Sequence, residues 1–218
     1  MKHNEFSKSD GNITVVILAA GRASRMGREK LLLMLGEKPV IRHVVQSVRG
    51  AGLSDIVVVT NPRNEDLIRQ VLDDQNIRIV CNPSYEQGLA SSIAAGVAAV
   101  SSDAIALLLV QGDQPFVNAE MLRFLVADWR KDKADYVAAS YDTVTTTPVL
   151  FGRPLFDEMA ALEGDVGARS VLRNHNGRVI PFPAWHGIDL DTEDDYRRVL
   201  EVWQSTTNAL SPGQKGSI

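Results

Sequence analysis

Cysteine is almost absent from this chain. Cys81 is the one thiol in 218 residues, so no intrachain disulfide can form, and a disulfide-stapled secreted scaffold is excluded. Histidine is scarce as well: His3, His43, His175 and His186 are scattered along the sequence, which gives no structural zinc site. No long apolar run is present. The longest, Ala104–Val110, is too short to span a bilayer, and residues 1–11 lack the apolar stretch of a signal peptide. The expectation is a cytoplasmic protein with no membrane partner. An excess of basic charge is missing too. Lys plus Arg is 23 and Asp plus Glu is 27, a net charge of −4, which argues against a nucleic-acid surface. It leaves room for a small anion, which needs only local positive charge. With 44% hydrophobic and 23% charged residues, the composition excludes a largely disordered chain.

What is present is an alternation of short apolar runs and amphipathic stretches. Residues 1–12 and 206–218 are polar and read as flexible tails, leaving 13–205 as a single expected domain. Strands are expected over Ile13–Ala19, Ile56–Thr60, Ile77–Cys81, Ala104–Val110, Tyr136–Ser140 and Pro148–Phe151. Helices are expected over Val40–Gly50, Glu65–Asp73 (with Leu67, Ile68, Val71 and Leu72 inward), Leu89–Val100, Ala119–Trp129 (capped by Asn118), Val166–Asn174 and Glu193–Trp203. Wholly apolar strands separated by helices predict an α/β fold: a mostly parallel sheet with helices on both faces, Rossmann-like and three-layered. Ligands in such folds bind beyond the carboxyl ends of the strands.

The residues just after the strands therefore carry the functional reading. Gly21–Lys30 follows the first strand and packs two glycines with Arg22, Arg25, Arg28 and Lys30. Glycines let the backbone turn its N–H groups toward a ligand, and the cations suit a polyphosphate. It is neither a Walker A loop nor a dinucleotide turn. Gln111-Gly-Asp113-Gln-Pro115 follows the most apolar strand. Asp113 is placed either for Mg²⁺ or as an ordinary turn aspartate. Gly88, Ser91 and Ser92 open a helix, where the hydroxyls either cap it or meet a base or ribose. Asp189 and Asp191 precede Thr192, an expected N-cap whose following acids suit the helix dipole. The expectation is that one of Asp189 and Asp191 faces the site. Lone Cys81 reads as a core residue.

Five segments in register resemble the molybdenum cofactor nucleotidyltransferases. They are Leu18-Ala-Ala-Gly21-x-x-Ser-Arg25-Met-Gly27-x-x-Lys30, Asn82-Pro…Gly88-Leu-x-Ser-Ser92, Gly112-Asp113-Gln-Pro115, Gly164-Asp-x-Gly-Ala-Arg169 and Asp189-x-Asp191-Thr-x-x-Asp195. Within that MobA-like NTP transferase family they resemble the cytidylyltransferase branch. The resemblance implies Mg²⁺-dependent transfer of CMP from CTP to a molybdopterin-type cofactor, with pyrophosphate released. It implies that the loop Leu18, Ala19, Ala20, Gly21 and Gly27, with Gly88, Ser91 and Ser92, binds the nucleotide. Arg25 and Lys30 would neutralise the triphosphate, Asp113 would hold the metal, and Asp189 would be the second carboxylate. The guanylyl branch usually has Leu-Ala-Gly-Gly at the loop, and the Ala20 methyl would trim the base pocket toward a pyrimidine. One departure stands out: Thr146-Thr147-Pro148 occupies the place where the cytidylyl branch commonly has Gly-His-Pro. That departure keeps open a GTP-using or other-acceptor transferase, or a non-catalytic chaperone handing the cofactor to an apo-molybdenum hydroxylase.

Overall fold

β1 (Asn12–Leu18) runs through the middle of a seven-stranded sheet. The computed structural model describes residues 11–21, 29–73 and 76–209, with side chains to residue 206. After β1 come a two-stranded ribbon, β2 (Met34–Leu35) and β3 (Lys38–Pro39), then α1 (Val40–Gly50), β4 (Ile56–Thr60), α2 (Glu65–Val71), β5 (Ile77–Cys81), α3 (Leu89–Ala98) and β6 (Ala104–Gln111). The second half holds α4 (Ala119–Arg130), β7 (Tyr136–Tyr141), β8 (Val144–Gly152), α5 (Phe156–Ala160), α6 (Arg169–Leu172), β9 (Gly177–Phe182) and α7 (Glu193–Ala209). The sheet order is β5-β4-β1-β6-β8-β7-β9. β1 pairs in parallel with β4 and β6, β4 with β5, and β7 with β9, while β8 runs antiparallel between β6 and β7.

Why the strands read as continuous apolar runs is now plain. Val15 and Ile17 of β1, Ile56 and Val58 of β4 and Leu108 and Val110 of β6 point into one core, against Ile41, Val44 and Val48 of α1 and Leu122, Leu125 and Trp129 of α4. Val16, Leu18, Val57, Val59, Leu107 and Leu109 point into the other, against Ile93 of α3, Phe156 and Met159 of α5 and Val171 and Leu172 of α6. Side chains alternate along a strand, so a sheet covered on both faces needs an apolar residue at every position. A third cluster joins Leu33, Leu35, Val40, Phe116, Ile188, Leu190 and Val199, and seats α7 against the β2–β3 ribbon. There Tyr196 donates to the Met34 carbonyl at 2.8 Å, and Trp203 meets His43 edge-on at 4.7 Å.

Several expected elements differ in detail. Helix Val166–Asn174 shortens to α6 (Arg169–Leu172), and Gly164 before it takes a left-handed φ of +67°. Leu67 is exposed, whereas Ile68 is fully buried; the buried stripe of α2 runs through Asn64, Ile68 and Leu72, four residues apart. The last helix continues past Trp203 to Ala209. Among the described residues no helix is long and apolar enough to cross a membrane.

The amino end of the sheet is tied by one carboxylate. Asp55, just before β4, accepts from Thr14 Oγ1 at 2.5 Å, Ser101 Oγ at 2.7 Å, Asn12 Nδ2 at 3.1 Å and Arg78 at 2.5 Å. It thereby links β1, β5 and the turn into β6. Burial alone would raise its pKa, but the Thr14, Ser101 and Arg78 bonds outweigh burial and hold it below the ordinary carboxylate value. A depressed folded pKa stabilises above the unfolded value of about 3.9, and that stability is lost as pH falls through the folded pKa. Asp55→Asn is therefore expected to cost about 1–2 kcal/mol near neutral pH. The gap from wild type should narrow below about pH 4, as thermal unfolding across a pH series would show. An equal gap at every pH would refute the assignment.

Candidate active site

The strand order reverses at β1. The chain steps from β1 to β4 and β5 on one side, then returns to place β6 on the other. Leu18 and Gln111 end these two strands side by side, and the Gly112 amide donates to the Leu18 carbonyl at 2.9 Å. Such a reversal leaves a crevice at the carboxyl ends. Here it is a cavity of about 680 Å³, walled by residues 18–21, Glu29–Leu31, Tyr85–Leu89, Ser92, Gln111, Asp113, Asp165, Asp189 and Asp191.

Lys30 stands at its centre. It opens a 3-10 turn over Lys30–Leu32, and its ammonium donates to Asp113 Oδ2 at 2.6 Å and Asp191 Oδ1 at 2.7 Å. Burial alone would lower its pKa, but the two carboxylates more than offset burial and raise it, so the side chain stays charged. Asp113 is 8% exposed. Its Oδ1 is buried and has no hydrogen-bond partner among the described residues. Buried carboxylate oxygens are costly unless a donor or cation meets them. The backbone at Asp113 is fixed by the Leu190 amide, which donates to its carbonyl at 3.1 Å. That bond joins the end of β6 to the segment carrying the late carboxylates.

Asp189 and Asp191 both face the cavity, which corrects the expectation that one would turn away. Residues two apart in an extended segment share a side, and it is Leu190 between them that points inward, fully buried. Asp189 accepts from Gln114 Nε2 at 2.8 Å. It keeps a face open to the cavity while protein crowds its other sides. That crowding, with Asp113 and Asp191 nearby, raises its pKa to about 6 against the opposing Gln114 and Lys30 contacts. Asp195 is occupied elsewhere. Thr192 N–H and Oγ1 donate to Asp195 Oδ2 at 2.8 and 2.7 Å, and the Asp195 amide returns a bond to Thr192 Oγ1 at 3.2 Å. This reciprocal pair caps α7, as the N-cap reading of Thr192 expects.

On the other wall, Gly88 and Ser92 line the cavity. The Ser91 hydroxyl is used within the loop, donating to the Ser84 and Gly88 carbonyls at 3.0 and 2.8 Å. Asn82 Nδ2 donates to both Ser91 and Ser92 hydroxyls at 3.0 Å. Gly88 has φ +109°, and a Cβ there would lie 2.4 Å from the Gly164 carbonyl oxygen, so backbone packing and dihedral both require glycine. The Leu89 and Ala90 amides, at the start of α3, donate to Asp165 Oδ1 at 3.4 Å and the Gly164 carbonyl at 3.2 Å.

Leu18, Ala19, Ala20 and Gly21 form the floor beside Lys30. Ala20 is only 3% exposed and belongs to the core beneath α3 and α5. Arg22, Arg25, Gly27 and Arg28 lie outside the described residues. Sequence reading missed the residues that hold the loop's start. Asn64 Nδ2 donates to the Ala19 carbonyl at 2.8 Å, and Asn61 Nδ2 to the Ala20 carbonyl at 3.1 Å. Asn64 also reaches Glu29 Oε2 at 3.3 Å, and Glu29, on the cavity wall, has its pKa raised by burial. The signal was present: Asn61-Pro-Arg-Asn64 directly follows β4, at the same end of the sheet. Cys81 stands apart from the cavity at the end of β5. Burial and the Glu65 carboxylate push its thiol up to about 11, so it supplies no thiolate near neutral pH.

Among the described residues no three His, Cys, Asp or Glu side chains converge to hold a metal ion by themselves. A divalent cation bound here would take one or two carboxylates and complete its shell with substrate oxygens and water, as Mg²⁺ does in phosphate sites. Asp113 Oδ1, unpartnered among the described residues, and the Asp189 carboxylate, open to the same cavity, fit that demand.

Comparison with known proteins places the fold among nucleotidyltransferases. The bifunctional protein GlmU of Symbiobacterium thermophilum is 35% identical over 148 residues, 67% of this chain, but the match spans only 31% of that relative's length. The molybdenum cofactor cytidylyltransferase of Escherichia coli is 26% identical over 192 residues, 84% of this chain and 93% of that protein. The crystal structure of Rv0371c from Mycobacterium tuberculosis superposes with a TM-score of 0.80 at 30% identity, covering 87% of this chain and 97% of that one. The same protein has also been solved in complex with manganese, with a TM-score of 0.72 at 28% identity, covering 87% and 98% of the two chains. Residues 15–179 match the MobA-like NTP transferase domain, a span that contains Lys30, Asp113 and the Gly88–Ser92 wall, and the chain belongs to that family.

Proposed function

We propose that the cavity transfers a nucleotidyl group from an NTP to a phosphorylated acceptor, most specifically CMP from CTP to a molybdopterin-type cofactor. The observation that carries the chemistry is Lys30 held between Asp113 and Asp191, beside a buried Asp113 oxygen with no partner among the described residues, at the carboxyl ends of β1 and β6. A buried cation within a few ångströms of carboxylates suits a triphosphate joined by a metal ion. The choice of acceptor and base is supported by the match along nearly the whole length of the E. coli cytidylyltransferase and by the Leu-Ala-Ala-Gly loop.

In this reading Asp113 and Asp189 hold Mg²⁺, which when bound neutralises phosphate charge and orients the phosphate oxygens. That Rv0371c has been solved as a complex with manganese supports a divalent ion in this family. Lys30 places its ammonium against the triphosphate, aided by Arg25. The loop 18–21, with its carbonyls held by Asn61 and Asn64, sets the backbone beside the phosphates. Gly88 and Ser92 form the opposite wall for the nucleoside. An acceptor phosphate oxygen attacks the α-phosphorus in line, the α–β bridging bond breaks, and pyrophosphate leaves with the electron pair. No side-chain nucleophile is needed, so the protein's work is positioning and charge neutralisation.

The test is pyrophosphate release from each of the four common NTPs with Mg²⁺ and purified molybdopterin cofactor. CTP should be turned over, with GTP at least about tenfold poorer. A preference for GTP would overturn the choice of base. No release from any NTP would overturn the acceptor.

A further inference from the structure

Beneath the main cavity lies a smaller one of about 280 Å³, mostly apolar, with Thr147 and Arg169 in its lining and Leu18 and Gln111 in the wall the two share. The chain places Thr147 there because β8 runs antiparallel, so its beginning lies at the carboxyl end of β6. One side chain joins the two cavities. Gln114 is fully buried, donates from Nε2 to Asp189 Oδ1 at 2.8 Å and accepts at Oε1 from Thr147 Oγ1 at 2.9 Å.

The direction of these bonds is forced. An ionised carboxylate only accepts, so it must face the amide nitrogen of Gln114. The amide oxygen then points the other way and needs a donor in a place closed to water. Thr147, 7% exposed, supplies that donor. We infer that Gln114 is a positioning residue that aims the Asp189 carboxylate at the metal, and that the Thr147 hydroxyl fixes the Gln114 amide in the orientation that makes this possible. A hydroxyl that donates to Gln114 still has lone pairs free for a ligand in the smaller cavity. The chain of bonds therefore runs from that cavity to the metal-holding side of the cleft.

This inference rests on reading Asp189 as a metal-holding carboxylate. Groups that orient a metal ligand commonly change metal affinity by about 10- to 100-fold when removed. Mn²⁺ binding, followed by the electron paramagnetic resonance of the free ion with CTP present, reads the effect without turnover. Gln114→Leu is expected to weaken Mn²⁺ binding about 10-fold. Thr147→Val, which keeps the shape and deletes the donor, should weaken it about 3- to 10-fold, and Thr147→Ser should restore it. CTP affinity measured in a chelator should stay near wild type in all three, a split that a general packing defect would not give. If Gln114→Leu fails to fold, Thr147→Val against Thr147→Ser decides alone. Wild-type Mn²⁺ affinity in Thr147→Val, alongside lost affinity in an Asp189→Asn control, overturns the inference and leaves the site reading intact. Undiminished Mn²⁺ binding by Asp189→Asn overturns the metal reading and the inference with it.

Discussion

Asp113→Asn is expected to reduce nucleotidyl transfer by on the order of 10³-fold while leaving the protein folded. The substitution keeps the shape of the side chain and touches none of the apolar contacts around β6. The Leu190 bond to residue 113 uses the main-chain carbonyl and survives. What disappears is one of the two carboxylates proposed to hold the cation and the partner of Lys30 at 2.6 Å. Mn²⁺ affinity should fall along with turnover, and the melting temperature should drop by about 2–12 °C, in line with one lost charged contact of about 1–3 kcal/mol. A variant that retains a third or more of wild-type turnover would remove Asp113 from the metal-holding role.

Lys30→Met should separate two effects that usually travel together. The side chain is only 12% exposed and contacts two carboxylates. Without it the triphosphate loses its central positive group, and kcat/KM for the nucleotide is expected to fall about 10²- to 10³-fold. Mn²⁺ alone, in contrast, should bind several-fold more tightly, because the ammonium no longer competes for Asp113 Oδ2 and the local charge is more negative by one. Turnover within a few-fold of wild type, or weaker Mn²⁺ binding in the methionine variant, would refute the placement of Lys30 at the phosphates.

Much of the fold was legible because burial on both faces of a sheet writes itself into the chain. Val15 to Leu18 and Ala104 to Val110 can be read as strands from their apolar character alone. Gly177–Phe182 could not. It contains Gly177 and Pro181 and alternates exposed with half-buried residues, as an edge strand tolerates; its identity depends on the distant partner β7. The site divides in the same way. Lys30 and Asp113 follow strands and carry charge, so position and chemistry both pointed to them. Asn61 and Asn64 are neutral and act on carbonyls more than 40 residues back. Gln114 stands beside a conspicuous aspartate, but only the return of the chain at 147 and 189 gives it partners. Asp189 and Asp191 are both expected near the site, but only the extended course of the segment, with Leu190 buried between them, shows that both line the cavity.

The Asp55 knot has a bearing on how such a protein can change. It ties β1, β5 and the approach to β6 together at the end of the sheet remote from the cleft, so cohesion and chemistry are seated at opposite poles of the same strands. Residues at the cleft pole, such as Thr146 or the 164–168 loop, can be exchanged without loosening that knot. A lineage can therefore retool the cleft by single steps. The trade has a limit, set by whichever exchange leaves a buried partner such as the Gln114 amide oxygen without its donor.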